Sequence, residues 1–321
     1  MKRFLALALA GALLSPSVAM AAFPERPVKI IVPFAPGGVT DLAARLLAQQ
    51  LTIKWGQSVY IENRAGAGGL IGVDAALRAP ADGYTILMST NGEVVIHPAA
   101  SSKPGFNPLT DLTPIAMVTT TPYAWTVNAK SNYNSLADVV AAAKAKPGDL
   151  SFPSAGTGST MHLATEHFAA AAGIKMQHVP YRGGAPAATA LASGEVQVGL
   201  VALSAVSSLV ESNHVRIVAV TSKTRSKMFP DVPTVSETGV LKDFEAAIWT
   251  ALFAPKGTPA DVIAKIRTDT ADALKAPAFL EKIAAVGTYP GDAMGLELSE
   301  RMAREIDETK KVATAASIVL E

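Results

Sequence analysis

The chain has 321 residues, of which 49% are hydrophobic and 17% charged, with 28 Lys and Arg against 27 Asp and Glu and no cysteine. Such a length exceeds one ordinary core and predicts two domains, while the apolar content and the small net charge exclude a disordered chain. Without a basic excess there is nothing to neutralise phosphates, which argues against nucleic-acid binding, and the absence of cysteine excludes disulfides, thiolate nucleophiles and cysteine zinc sites.

Lys2 and Arg3 precede a short apolar run over 4–14, followed by Ser15-Pro16-Ser17 and a closing Ala19-Met20-Ala21. This is the layout of a cleavable secretory signal over residues 1–21, with an apolar run too short to span a bilayer. There is no lipobox cysteine. Removal leaves 26 basic residues against 27 acidic ones. No later segment reads as a membrane span. The stretch 196–210 comes nearest, but Gln197, Ser204, Ser207 and Ser208 interrupt it.

In the mature chain, 28–32 is a β-branched run stopped by Pro33, as a buried strand would be. A Pro36-Gly37-Gly38 turn leads to an amphipathic helix for which Thr40 or Asp41 is the expected N-cap. A strand at 59–63, a glycine-rich turn at 66–69, a helix over 70–78 and a strand at 84–88 follow. Strands alternating with helices imply parallel βαβ units. The pattern restarts with an extended 124–127, a helix over 136–144 and a short strand at 150–152. Next come the loop 154–159, a helix over 160–172, a strand ending near Tyr181, and Gly183-Gly184-Ala185-Pro186 opening another helix. Strands at 196–200, 217–221 and 248–253 and helices over 260–274 and 296–314 complete the series. The expectation is an α/β protein with the second domain inserted in the first, the aperiodic segments 91–122 and 223–245 holding the two crossings. Ligands of such folds sit beyond the carboxyl ends of strands, between domains.

Several motifs invite catalytic or cofactor readings. Gly66-Ala67-Gly68-Gly69-Leu70-Ile71-Gly72 misses dinucleotide spacing because Ile71 stands at the third glycine position, and no Walker lysine follows any glycine loop. His162, Glu166 and His167 are spaced one residue too far for an inverzincin, and His162 and His167 diverge by about 140° around a helix. Ser154 and Ser159 flank glycines without forming G-x-S-x-G, so an exported serine hydrolase survives only if a triad assembles from distant residues. The loops at 36–40, 154–159 and 183–186 share a simpler chemistry. Each follows a strand and opens a helix, where free amides and the positive dipole end favour an anion.

These residues resemble the substrate-binding proteins of tripartite tricarboxylate transporters, the Bug family of periplasmic receptors. The resemblance rests on the run from Phe23-Pro24-Glu25-Arg26-Pro27 through Pro36-Gly37-Gly38-Val39-Thr40-Asp41. It continues in Asn63-Arg64-Ala65-Gly66, Pro80-Ala81-Asp82-Gly83-Tyr84-Thr85, Tyr181-Arg182-Gly183-Gly184-Ala185-Pro186, Asp231-Val232-Pro233-Thr234 and Ala254-Pro255-Lys256-Gly257-Thr258-Pro259. It implies a two-lobed periplasmic-binding-protein fold of the Venus-flytrap, type II-like kind, hinged by crossing segments. Residues 22–122 with 246–321 would form lobe 1, and 123–245 lobe 2. It further implies a monomeric, non-enzymatic receptor without a cofactor, which hands a small organic carboxylate to membrane permease subunits or, alternatively, reports it to a sensor kinase.

Carried over residue by residue, the first loop would contribute Phe34, Gly38, Thr40 and Asp41, and the second-lobe loop Ser154, Ala155, Gly156 and Ser159. Thr90 and Asn91 after the third strand and Tyr181 and Arg182 at another strand end would face the cleft. Asp41, as an anion, is expected to hold the first loop or a water rather than the ligand. Many relatives carry a cleft aspartate where this chain has Val201 followed by Ala202, so the resemblance implies an apolar distal pocket unsuited to an ammonium group.

Overall fold

The computed structural model describes residues 23–315; the expected signal sequence and residues 316–321 lie outside the described residues. Strand β1 (Val28–Val32) is flanked by the parallel strands β2 (Val59–Asn63) and β3 (Thr85–Thr90), joined through helices α1 (Val39–Trp55) and α2 (Leu70–Leu77). β1 is buried along nearly its whole length because helices cover both sheet faces, which is why its sequence is a continuous apolar run. A π-helical turn at Gly92–Ile96 runs into α3 (His97–Ala100), and α4 (Pro108–Asp111) then leads to β4 (Leu112–Asn128).

β4 is 17 residues long and serves both halves of the molecule. Its first part, to Pro122, pairs antiparallel with β9 (Ala247–Pro255), which also pairs with β3. From Tyr123 onward it pairs instead with β7 (Val198–Ala202) and β8 (Val215–Val220). Between them lie α5 (Leu136–Ala145), β5 (Ser151–Ser154), α6 (Thr160–Ala172), β6 (Gln177–Pro180), α7 (Gly184–Ser193) and α8 (Leu203–Glu211). β5 and β6 form a separate parallel pair. After β9 come α9 (Ala260–Ala273), α10 (Pro277–Ala284), the two-residue β10 (Tyr289–Pro290) against β4, and α11 (Leu296–Ala315).

The hydrophobic interior falls into separate bodies. One gathers residues from Tyr123 to Ile248, including Trp125, Phe152 and Phe168, plus Val39 from α1. Two others cover opposite faces of the β1–β3 and β9 sheet, one under α1, α9 and α10 and one under α2 and α11. The outcome is a two-lobed α/β arrangement.

The segments expected to hold the crossings are more ordered than their sequences suggest. β4 changes partners at the step from Pro122 to Tyr123, and the chain returns at the Ala246-Ala247 entry to β9. Pro114 and Pro122 break the strand's sequence signature by removing ladder donors, so its first half reads as loop. Residues 223–245 belong to the second body, because Thr234 bridges to Val220 and Val235 and Phe244 enter its core. The helices α8 and α10 escaped the sequence reading, α8 because it continues the apolar run of β7 without a break. The helix after the first loop also begins earlier than expected. Gly38 is its N-cap, and Thr40 and Asp41 stand in its first turn.

Candidate functional site

A small enclosed cavity between the lobes is lined by the first residues of helices from both. α1 contributes Gly38, Val39 and Thr40; α6 contributes Ser159, Thr160 and Met161; α7 contributes Gly184. Ala202, the residue preceding α8, and Ala205 in its first turn complete that ring. The first-turn amides of a helix have no intrahelical partner. Gly38, Gly183 and Ala202 provide no side-chain cap, so these donors stay free for a ligand. A Cβ placed on Gly38 would stand 3.7 Å from the amide nitrogens of both Gly184 and Ala185, so two helix starts meet across a single missing side chain. Phe34, Ala155, Thr90, Tyr123 and Ile248 close the remaining walls. The lobes leave room of about 30 Å³ for the centres of water-sized molecules. That is space for two or so waters, or for a carboxylate with a short body once the lobes part slightly.

The lobes are in contact around this cavity. The amide of Ala35 donates to the Arg182 carbonyl at 2.9 Å, and the Thr160 hydroxyl donates to Asn91 Oδ1 at 3.2 Å. Gly68 approaches the Thr157 carbonyl so closely, with φ +63°, that a Cβ there would collide with backbone. This is a closed form.

Electrostatically the cavity is unusual for an anion site, since no lysine, arginine, aspartate or glutamate lines it. Helix dipoles and backbone amides are the available attraction. Thr40 is buried, and its hydroxyl makes no hydrogen bond among the described residues. The Ser159 hydroxyl accepts from the His162 amide at 3.4 Å as the α6 cap and keeps its own proton to donate.

Of the residues expected from sequence, Phe34, Gly38, Thr40, Thr90, Ala155, Ser159 and Ala202 stand on the cavity. Asp41 is buried behind it. Its carboxylate accepts from the Gly37 amide (2.9 Å), Arg45 Nε (2.8 Å) and Asn63 Nδ2 (2.9 Å), while Asn63 also donates to the Phe34 carbonyl. Burial pushes the Asp41 pKa up, but these donors outweigh it and hold it below the usual value. Asp41 therefore shapes the first loop. Asn91 lies to one side, donating to the Ala247 carbonyl beside the crossing.

Ser154 is fully buried, sharing hydrogen bonds with His178 Nε2 (2.6 Å) and the Gly156 backbone, and does not reach the cavity. Gly156, Tyr181 and Arg182 line a wider cleft at the mouth with the 65–68 loop, and the Tyr181 hydroxyl donates to Glu195 at 2.7 Å. Val201 faces the lobe core, because strand alternation sends it and Ala202 to opposite sides; the wall assigned to it belongs to Ala202 and Ala205.

Sequence reasoning missed Val39, Thr160, Met161, Gly184, Ala205, Tyr123 and Ile248. Val39 and Gly184 lie inside loops already read as anion-binding without being picked out, and extending the 154–159 loop by one helical turn would have found Thr160 and Met161. Tyr123 and Ile248 carry no local signal, because they reach the cavity only through the strand crossings.

Two titratable groups lie close by. Glu93 is buried without a cationic partner, accepting from Ser89 Oγ, the Thr90 amide and Thr90 Oγ1 at 2.7–3.1 Å, and burial raises its pKa to about 7. His162 stacks on His178 at 3.8 Å between ring centroids; burial, helped by the neighbouring imidazole, pushes its pKa down to about 4. The Gly158 amide donates to His162 Nδ1, as a neutral ring requires. Among the described residues no group of three or more His, Cys, Asp or Glu could hold a metal ion.

Comparison with known proteins converges on one family. The sequence model described as the tripartite tricarboxylate transporter family receptor matches residues 43–315. The chain is 39% identical over 269 residues to protein BugT of Bordetella pertussis, covering 84% of this chain and 82% of that protein. Its fold is similar to that of R. palustris Rpa4515 with adipate, at a TM-score of 0.88 and 34% identity over 92% of this chain and 99% of the other. It is also similar to MatC from Rhodopseudomonas palustris with bound malate, at a TM-score of 0.84 and 27% identity over 90% and 99%.

Proposed function

Since the chain belongs to the tripartite tricarboxylate transporter receptor family, we propose that it captures a small organic carboxylate between its lobes in the periplasm and presents the closed form to the permease subunits of such a transporter. The family's proteins are solute receptors, and this chain is a receptor rather than an enzyme. The hydrolase alternative fails on chemistry as well: Ser159 caps α6, and Ser154 is sealed away from the cavity.

The observation that carries the reading is the convergence of α1, α6 and α7 starts, with uncommitted amides, on one enclosed space. Helices from both lobes meet the same anion, so ligand binding favours the closed state over an open one, and a permease can read that difference. The resemblance to receptors solved with adipate and malate supports a carboxylate. With no acidic side chain on the cavity, an amino acid's ammonium group would lose its water without gaining a counter-charge, so carboxylates lacking an amino group are favoured.

A thermal-shift screen of the chain from Ala22, refolded to remove carried-over ligand, tests this. Mono-, di- and tricarboxylates, aromatic acids and amino acids would be compared. A ligand at a hundredfold its Kd adds about 2.7 kcal/mol, a rise of several degrees. Stabilisation confined to carboxylates supports the reading; a stronger response to aspartate or glutamate, or none at all, contradicts it.

A further inference from the structure

Tyr123 is the residue at which β4 leaves β9 and joins β7, and its backbone is pinned there. Its amide donates to Thr221 Oγ1 at 3.0 Å, and its carbonyl accepts from the Thr221 amide at 3.0 Å. The side chain is 1% exposed and forms part of the cavity wall. Its hydroxyl is shut off from solvent and closes no hydrogen bond of good geometry, the Thr160 hydroxyl lying within reach of a weak one only.

Neighbouring hydroxyls have spent their protons elsewhere: Thr90 Oγ1 accepts from the Gly92 amide and donates to Glu93, and Thr160 Oγ1 donates to Asn91. A phenol that gives up its water on closure and finds no well-aligned protein acceptor weakens the closed state by roughly tenfold in population. That loss is removed when the arriving ligand provides an acceptor.

We propose that Tyr123 is a specificity-determining residue whose phenol donates a hydrogen bond to an uncharged oxygen on the ligand, away from the carboxylate held by the helix starts. This rests on the receptor reading above and names its ligand class: a short monocarboxylate bearing a hydroxyl or carbonyl oxygen. Three features select that class. The surrounding wall, from Ala202, Ala205, Ile248 and Met161, is apolar and suits a short carbon body. The donor is neutral, so it recognises an oxygen without requiring charge. No lysine or arginine lines the cavity, so a second carboxylate would be buried there without a counter-charge.

The test compares wild type with Tyr123→Phe by calorimetry and thermal shift, using two matched series: butyrate, 3-hydroxybutyrate and succinate, then valerate, levulinate and glutarate. In at least one series the wild type should bind the oxygen-bearing monocarboxylate about tenfold more tightly than its parent acid. Tyr123→Phe should bring that acid down to the level of its parent, and its ligand-free melting temperature should not fall. The inference is overturned if wild type prefers neither oxygen-bearing acid, if the dicarboxylate is the strongest ligand in both series, if the preference survives in the variant, or if the variant loses parent and oxygen-bearing acid alike. A wild type that responds to no carboxylate in the wider screen overturns the receptor reading itself, and this inference with it.

Discussion

One side of the cavity is made of the starts of α1, α6 and α7, each preceded by a glycine-containing loop and each offering backbone amides. The rest of the wall includes the side chains of Tyr123, Ala202, Ala205 and Ile248, brought in by strands near the lobe crossings and by α8. The first side has a fixed chemistry that any carboxylate satisfies, since amides and helix dipoles recognise charge without regard to the rest of the molecule. On the second side the side chains themselves make the surface, and one substitution there changes its shape or polarity. The cavity thus separates what all its ligands must share from what distinguishes them.

The largest expected effect comes from Gly38→Ala, which attacks the amide side alone. Gly38 has φ −80°, a conformation alanine adopts freely, and the new Cβ would meet nothing closer than 3.7 Å. It would nevertheless occupy the space between the α1 and α7 starts. Carboxylate affinity should fall about 100-fold, near 3 kcal/mol, for every carboxylate equally, with an unchanged melting temperature. Retained affinity would place the anion elsewhere.

Asp41→Asn acts one layer further back. It keeps an acceptor for Gly37 but gives up the ion pair with Arg45, whose side chain is half exposed and whose contribution is therefore discounted. A loss of about 1 kcal/mol in unfolding stability is expected, accompanied by a few-fold weaker binding as the 34–38 loop loosens. Ser159→Ala removes the α6 cap and a free hydroxyl donor. It should cost about 1 kcal/mol in stability and leave measurable binding, whereas a nucleophile's removal would have abolished a turnover.

The smallest effect is the pH response of the α6 loop. His162 has a folded pKa of about 4, below its unfolded value, so the unfolded chain takes up protons first as the solution is acidified. Stability from this group is complete above the unfolded value of 6.5 and declines as pH falls from there towards 4. Glu93, held protonated up to about 7, has the opposite slope between 4.5 and 7 and partly masks it. An NMR titration separates the two: the His162 ring should stay neutral until about pH 4, and a midpoint near 6.5 would contradict its packing against His178.

The same division explains what was legible in the sequence. Buried parallel strands, glycine turns and amphipathic helices are local signals, so β1 to β3 and α5, α6 and α7 were readable to within a residue or two, and α1 was readable apart from its ends. So were the cavity positions Gly38, Thr40 and Ser159, since loop-to-helix junctions are written in consecutive residues. Tyr123 and Ile248 were not: they flank the expected lobe boundaries, but a strand broken by Pro114 and Pro122 carries no local sign that its residues reach the cavity. The loop-holding role of Asp41 was legible in part, through its neighbour Gly37, whereas that of Ser154 was hidden, since its partner His178 lies 24 residues away.

Whether a carboxylate is held by backbone amides from both lobes without a cationic side chain can be read most directly from amide 1H–15N shifts while titrating the carboxylate that gives the largest thermal shift. Thr40, Thr160, Met161, Gly184 and Ala185 should move most and saturate together, with an affinity nearly insensitive to added salt. Shifts centred instead on Arg45 or Arg182, with an affinity that collapses as salt rises, would contradict such a hold.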